Sequence, residues 1–140
     1  MLDLTELKEN TSLPEIKKAI IQENINLYAE ASRDFNPIHI DEDFARKTPL
    51  GGTIAHGMLI LAYISQMMGE AFGQQWLSSG KLSVRFKAPA RPGDIVTISG
   101  KIHGIESDNG QTLISCNVLC RNQHDEPVII GQAQVKVGGQ

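Results

Sequence analysis

The sequence predicts an α+β fold in which an antiparallel sheet wraps around one long buried helix. Three observations predict it. The segment His56–Phe72 is rich in helix formers and apolar nearly all round at its start, the mark of a helix buried on every side. Four stretches after it carry the alternation of strands, joined by short turns. One strand and two helical segments precede it, so the order is strand, helices, buried helix and then an antiparallel meander. A chain of 140 residues has few ways to bury a helix completely, and curving a sheet around it is the simplest.

Along the chain, the first dozen residues are polar and read as loosely held. Ile16–Ile21 suits a short strand. Gln22–Arg33 reads as a helix, because Ile25, Tyr28, Ala29 and Ser32 form a stripe at helical spacing. Pro37 limits how far that helix continues. Asp41 suits the N-cap of a short helix Glu42–Lys47, with Phe44 and Ala45 inward. Pro49, Gly51 and Gly52 make a loop. After the buried helix comes a loop carrying Trp76. Strands then follow at Leu82–Val84–Phe86, Ile95–Ile105, Gln111–Arg121 and Pro127–Val137. Turns are expected at Pro92–Gly93–Asp94, Asp108–Asn109–Gly110 and Asn122–Asp125. No repeat or linker divides residues 1–140, which read as one domain. The sheet's edges would stand open in a single chain, so a partner chain is expected.

Composition excludes some functions. A net charge of -3 argues against a nucleic-acid partner. The longest apolar run, Met58–Ile64, is too short to span a bilayer, and the N-terminus has no apolar run of a signal peptide. The two cysteines, Cys116 and Cys120, are four apart on one strand face, too far for a disulfide. That suits the cytoplasm. They form no short-spaced ligand set with the four histidines, so no metal is expected.

The chemically specific segment is Asp34–Phe35–Asn36–Pro37–Ile38–His39. A carboxylate and an imidazole five residues apart flank a proline-stiffened turn that can aim both into one cleft. Such a pair can take a proton from water and return one to carbon. The same residues also make a good turn, with Asp34 capping backbone N–H groups and Asn36 forming an Asx-turn. The second piece, Ala55–His56–Gly57–Met58, opens the buried helix. Free N–H groups at a helix start favour a developing negative charge, and Gly57 leaves its own N–H open to close approach. Gly57 equally permits tight packing. His56 reads as a structural cap or a packed histidine.

The stretch Tyr28–His39 resembles the hydratase motif of the MaoC-like dehydratases, the (R)-specific enoyl-CoA hydratases of the hotdog fold. The similarity continues through Ile54–Met58, Ser83–Phe86 and Pro89–Asp94, and covers residues 16 to 137. The resemblance implies a hotdog sheet around His56–Phe72 and a homodimer whose sheets join edge to edge. It implies Asp34 and His39 as the acid–base pair on one water, adding it syn to a trans-2-enoyl thioester to give a (3R)-hydroxyacyl product. It implies Asn36 as holding the pair or the water, the Gly57 N–H as binding the thioester oxygen, and Ser65 as a polar residue near the reaction. Ser65 otherwise packs within the helix. Coenzyme A is part of the substrate, and no separate cofactor is required. One departure is visible. Arg33 stands where the family often has glycine, which touches the local backbone shape rather than the pair.

Met58, Leu59, Met67, Phe72, Trp76 and Leu77 are candidates to line an acyl tunnel, with core packing as the alternative for each. Arg85, Lys87 and Arg91 are candidates to meet the phosphates of the carrier, or form a solvated face. Two other activities share the fold. A 3-hydroxyacyl-[acyl-carrier-protein] dehydratase would keep the pair and change the carrier. A thioesterase wants a carboxylate near the start of the central helix, where Glu70 does not lie. A non-catalytic acyl-binding subunit would not need both Asp34 and His39.

Overall fold

A computed structural model describes residues 1–138 of the chain. The strands are β1 (Ile16–Ala19), β2 (Lys81–Phe86), β3 (Ile95–Asp108), β4 (Gln111–Arg121) and β5 (Pro127–Gly138). The helices are α1 (Gln22–Ser32), α2 (Pro37–Ile40), α3 (Glu42–Arg46), α4 (Gly57–Phe72) and α5 (Gln74–Ser79). The strands form one antiparallel sheet in the order β1-β3-β4-β5-β2, with α4 packed against one face. This is the expected α+β hotdog architecture.

The β3–β4 and β4–β5 hairpins form where the turn residues predict. Asn109 and Gly110 both take positive φ, 52° and 81°, as a two-residue turn with both central residues left-handed requires. Asn122 turns the second hairpin by accepting the N–H groups of His124 and Glu126 on its Oδ1. Alternation then sends Val96, Ile98, Ile102, Ile114, Cys116, Cys120, Ala133 and Val135 to the helix side, all buried. Ile60, Ile64, Met67, Met68 and Ala71 of α4 meet them. Each large side chain there contributes about 1.5–3 kcal/mol on burial. Both cysteines are free, and burial pushes each thiol up to about 12.

Several expectations are corrected. The central helix is not covered all round, because Met58, Ala62, Gln66 and Glu70, spaced four apart, face outward. The sheet and α5 cover the rest, and one stripe stays open in a single chain. Pro37 does not merely halt a helix: it starts α2, where its missing N–H costs nothing. Trp76 lies not in a loop but in α5, buried, with its Nε1–H donating to Ser65 Oγ at 2.9 Å. Phe44 is exposed, and only Ala45 of α3 turns inward. The N-terminal segment is held by backbone bonds. Leu2 N–H donates to Ala71 O, Asn10 N–H to Ile102 O and Leu13 N–H to Gly100 O, while Leu2, Leu4 and Leu7 pack on the core. Their apolar side chains, sparse among polar neighbours, give no periodic signal.

Candidate active site

The chain between α1 and α4 folds back over the start of α4. Ser32 Oγ donates to Tyr28 O and closes α1, and Arg33 takes the left-handed conformation (φ 62°, ψ 23°) that turns the chain. Asp34 follows. Its Oδ1 accepts the Asn36 N–H at 3.3 Å, and Asn36 Oδ1 accepts the Ile38 N–H at 3.1 Å. Asn36 is therefore the N-cap of α2, and it fixes the single turn that carries His39.

His39 is buried, and its Nδ1 lies 2.8 Å from Ile54 O. A carbonyl only accepts, so Nδ1 carries the proton and the neutral ring presents a lone pair at Nε2. That Nε2 stands 3.9 Å from Asp34 Oδ2. The gap exceeds a direct hydrogen bond and suits one water oxygen bonded to both groups. Asp34 is half exposed, so the pair opens to solvent on the carboxylate side.

His56 adjoins both members. It is buried, its Nε2 lies 3.0 Å from Asp34 O, and its ring stacks on His39 with centroids 3.9 Å apart at 25°. It makes no cap bond at the start of α4. Asp34, His39 and His56 each have a ligand atom within 4.8 Å of the others. The stacked imidazoles oppose a shared ion, because their lone pairs lie in ring planes that run nearly alongside one another.

α4 begins at Gly57. Leu59 N–H and Ile60 N–H bond back to His56 O, so the N–H groups of Gly57 and Met58 precede the first helical bond and are available to an anion. A Cβ at Gly57 would come within 2.9 Å of Phe86 Cε1, so that the exposed Phe86 ring would have to shift. A groove of about 360 Å³ runs from Ile54 and Gly57 past Phe86 to Val128, with Lys87 at its side.

Three residues with no motif of their own support the pair. Gln22 Nε2 donates to His39 O at 2.7 Å. Thr53 Oγ1 lies 2.8 Å from Gln22 Oε1 and 3.0 Å from Glu42 Oε2, and the Thr53 N–H donates to the same Glu42 oxygen. The Thr53 N–H, then its hydroxyl, and then Arg46 hold the Glu42 carboxyl below the ordinary carboxylate value.

Other candidates fall elsewhere. Ser65 is eight positions from Gly57, roughly 12 Å along the helix axis, and accepts the Trp76 indole N–H. Met67, Phe72 and Trp76 are core residues, and Leu59 is buried with them. Met58 and Leu77 are exposed. Arg85 alternates to the sheet face opposite Phe86, lining a separate depression with Ser83 and Gln132, so it does not cluster with Lys87. Arg91 sits in the turn before β3, its N–H donating to Asp94 Oδ2.

Comparison with known proteins gives the family. Residues 5–120 match the family model described as MaoC like domain. The 3-hydroxybutyryl-CoA dehydratase of Methylorubrum extorquens is 34% identical over 125 residues, 87% of this chain and 76% of that protein. The (R)-specific enoyl-CoA hydratase of Rhodospirillum rubrum is 33% identical over 132 residues, 94% of this chain and 89% of that one. Among solved structures, the (R)-hydratase of A. caviae involved in PHA biosynthesis superposes with a TM-score of 0.81 at 26% identity, covering 94% and 98% of the two chains. Matched along most of its length by the family model and by relatives of this identity, the chain belongs to the MaoC-like dehydratase family.

Proposed function

We propose that the protein is a hydro-lyase that adds water to trans-2-enoyl-CoA, giving (3R)-hydroxyacyl-CoA, and catalyses the reverse dehydration. The observation that carries this reading is the 3.9 Å gap between Asp34 Oδ2 and His39 Nε2, beside the open N–H groups of the α4 start. The Nδ1–H bond to Ile54 O leaves His39 Nε2 as a base. The Asp34 carboxylate oxygen and the His39 Nε2 lone pair thus offer two acceptors to the two hydrogens of one water.

In the forward direction the water oxygen bonds to the β-carbon while one of its protons passes to the pair. The C=C electrons move to the α-carbon and thioester oxygen, and the pair returns a proton to the α-carbon. The pair is unchanged after one turnover and acts as a single acid–base unit. The Gly57 N–H and the helix dipole behind it attract the enolate oxygen more than the neutral carbonyl, which is the condition for catalysis. The apolar groove past Phe86 suits part of the thioester, and Lys87 offers a cation at its side.

Two finer points belong to the same proposal. The working unit is a homodimer, supported by the open edge of β2 and the uncovered stripe of α4. The compartment is the cytoplasm, supported by two free buried thiols. No helix among the described residues is long and apolar enough to cross a membrane.

The test is hydration of crotonyl-CoA, followed as loss of enoyl absorbance, with Asp34→Asn and His39→Ala in parallel. Each variant is expected to keep its fold and lose about 10²–10⁴ in kcat. The wild-type enzyme is expected to turn over the coenzyme A thioester faster than the same acyl group on a carrier protein. Unchanged turnover in both variants would remove the mechanism.

A further inference from the structure

The mechanism above leaves one buried imidazole unused. His56 is 2% exposed, yet it touches both members of the pair by different means. Its Nε2 lies 3.0 Å from the carbonyl oxygen of Asp34, and its face stacks on His39 at 3.9 Å. The Tyr28 ring closes the far side at 4.8 Å, tilted by 57°. The titratable groups facing His56 are therefore Tyr28 from α1, Asp34 from the turn after it, and His39 from α2.

The bonding fixes the form of the ring. Asp34 O can only accept, so His56 Nε2 carries the proton. In the neutral ring Nδ1 is then a bare lone pair, buried without a partner among the described residues. A buried polar atom without a partner costs stability. An apolar ring of similar size would fill the space without that cost, so packing alone does not account for a histidine. What the imidazole supplies and an apolar ring does not is a donor to Asp34 O on the same rigid plane that carries the stack.

We infer that His56 is a positioning residue of the acid–base pair, an Nε2–H imidazole that ties the Asp34 backbone to the plane of the His39 ring. Asn36 links the two within their own segment, its N–H donating to Asp34 Oδ1 and its carbonyl accepting the His39 N–H, and His56 adds a tie to both from the central helix. His56, anchored at the first turn of the central helix, is the one side chain among the described residues bonded or stacked to both. It thereby sets the separation of Oδ2 and Nε2 across which the water must fit. Misplacement of such a group by about 1 Å can cost 10²-fold in rate. This inference rests on the proposed hydratase reading for its kinetic consequence, while the form of the ring is testable without it.

Two measurements test it. The ¹⁵N signals of the histidine rings in the free protein report which nitrogen carries each proton, independently of activity. His56 is expected as the Nε2–H form and His39 as the Nδ1–H form; an Nδ1–H form at His56 would overturn the inference even if the enzyme is active. The second is steady-state hydration by His56→Phe, which keeps a ring and loses the donor, and by His56→Gln, which keeps an N–H near the same place. With thermal stability as a check on folding, His56→Phe is expected to lose about 10- to 100-fold in kcat with KM within about twofold. His56→Gln is expected to recover to within about fivefold of wild type. In a His39→Ala background the Phe substitution should cost no further rate, because its effect runs through the separation of the pair, which no longer exists there. A full further loss in that background, or wild-type kcat in a folded His56→Phe, refutes the positioning role. A wild-type protein inactive on enoyl thioesters would instead sink the hydratase reading, leaving the ring signals to decide the form of His56.

Discussion

At the scale of residues, the pair Asp34 and His39 was legible because its members lie within one short turn, and a proline and an asparagine announce that turn. The side chains that hold it were not. Gln22, Thr53 and Glu42 are separated by up to 31 positions and meet only through tertiary structure. None belongs to a pattern that spacing reveals. Glu42 gives this network a pH dependence. Its carboxyl is held below its ordinary value of 4.5 by bonds from Thr53, so the folded state favours the ionised form. The resulting stability is present above that value and is lost as pH falls through the lower folded one. Glu42→Gln is therefore expected to melt below wild type at pH 7, with the gap closing in acid. Melting curves of both proteins across pH 3–7 (roughly the window either side of the carboxylate range) check this, and a gap that persists undiminished at the acid end contradicts it.

At the scale of elements, long periodic segments are legible with small errors at their ends, and so is the short α3 behind its Asp41 cap, but α2 and α5 are not. α2 and α5 have too few residues to show a period, and capping creates them: Asn36 before Pro37 in one case, Gly73 with φ 57° in the other. Asn36–Pro37 was itself a helix-start signal, read instead as a stop. The end of α1 is strained. Arg33 adopts φ 62°, a conformation that disfavours side chains bearing a Cβ. Relief of about 1–2 kcal/mol exceeds the extra chain entropy of glycine, about 0.5–1 kcal/mol. Arg33→Gly is thus expected to raise Tm by about 2–4 °C, read by calorimetry, with kcat unchanged within about twofold. A lower Tm would mean that the arginine makes a stabilising contact outweighing its backbone cost.

At the scale of the whole molecule, the wrapped helix was legible because so apolar a segment in so short a chain needs a sheet around it. The exposed stripe from Met58 to Glu70 was not, because the composition of the segment does not say which side the sheet leaves bare. β2 lies at the edge of the sheet on the side of Phe86, and Met58 and Phe86 are both more than half exposed. Pairing of this edge with a second copy would cover them. Light scattering after size exclusion is expected to give twice the monomer mass, and Val84→Pro, which blocks strand pairing on β2, to give monomer. A monomeric wild type at micromolar concentration removes the dimer.

The strand order also has a bearing on how the chain acquires its shape during synthesis. β1 must wait for β3, and β2 must wait for β5, so both borders of the sheet leave the ribosome before anything exists for them to grip. The β3–β4 and β4–β5 hairpins join neighbours at once, and the first of them is not whole until Arg121 has been added. The nascent polypeptide therefore carries its greasiest helix, Gly57–Phe72, unsheltered while the second half of the chain is made, and its seating is a late, concerted event rather than a stepwise one.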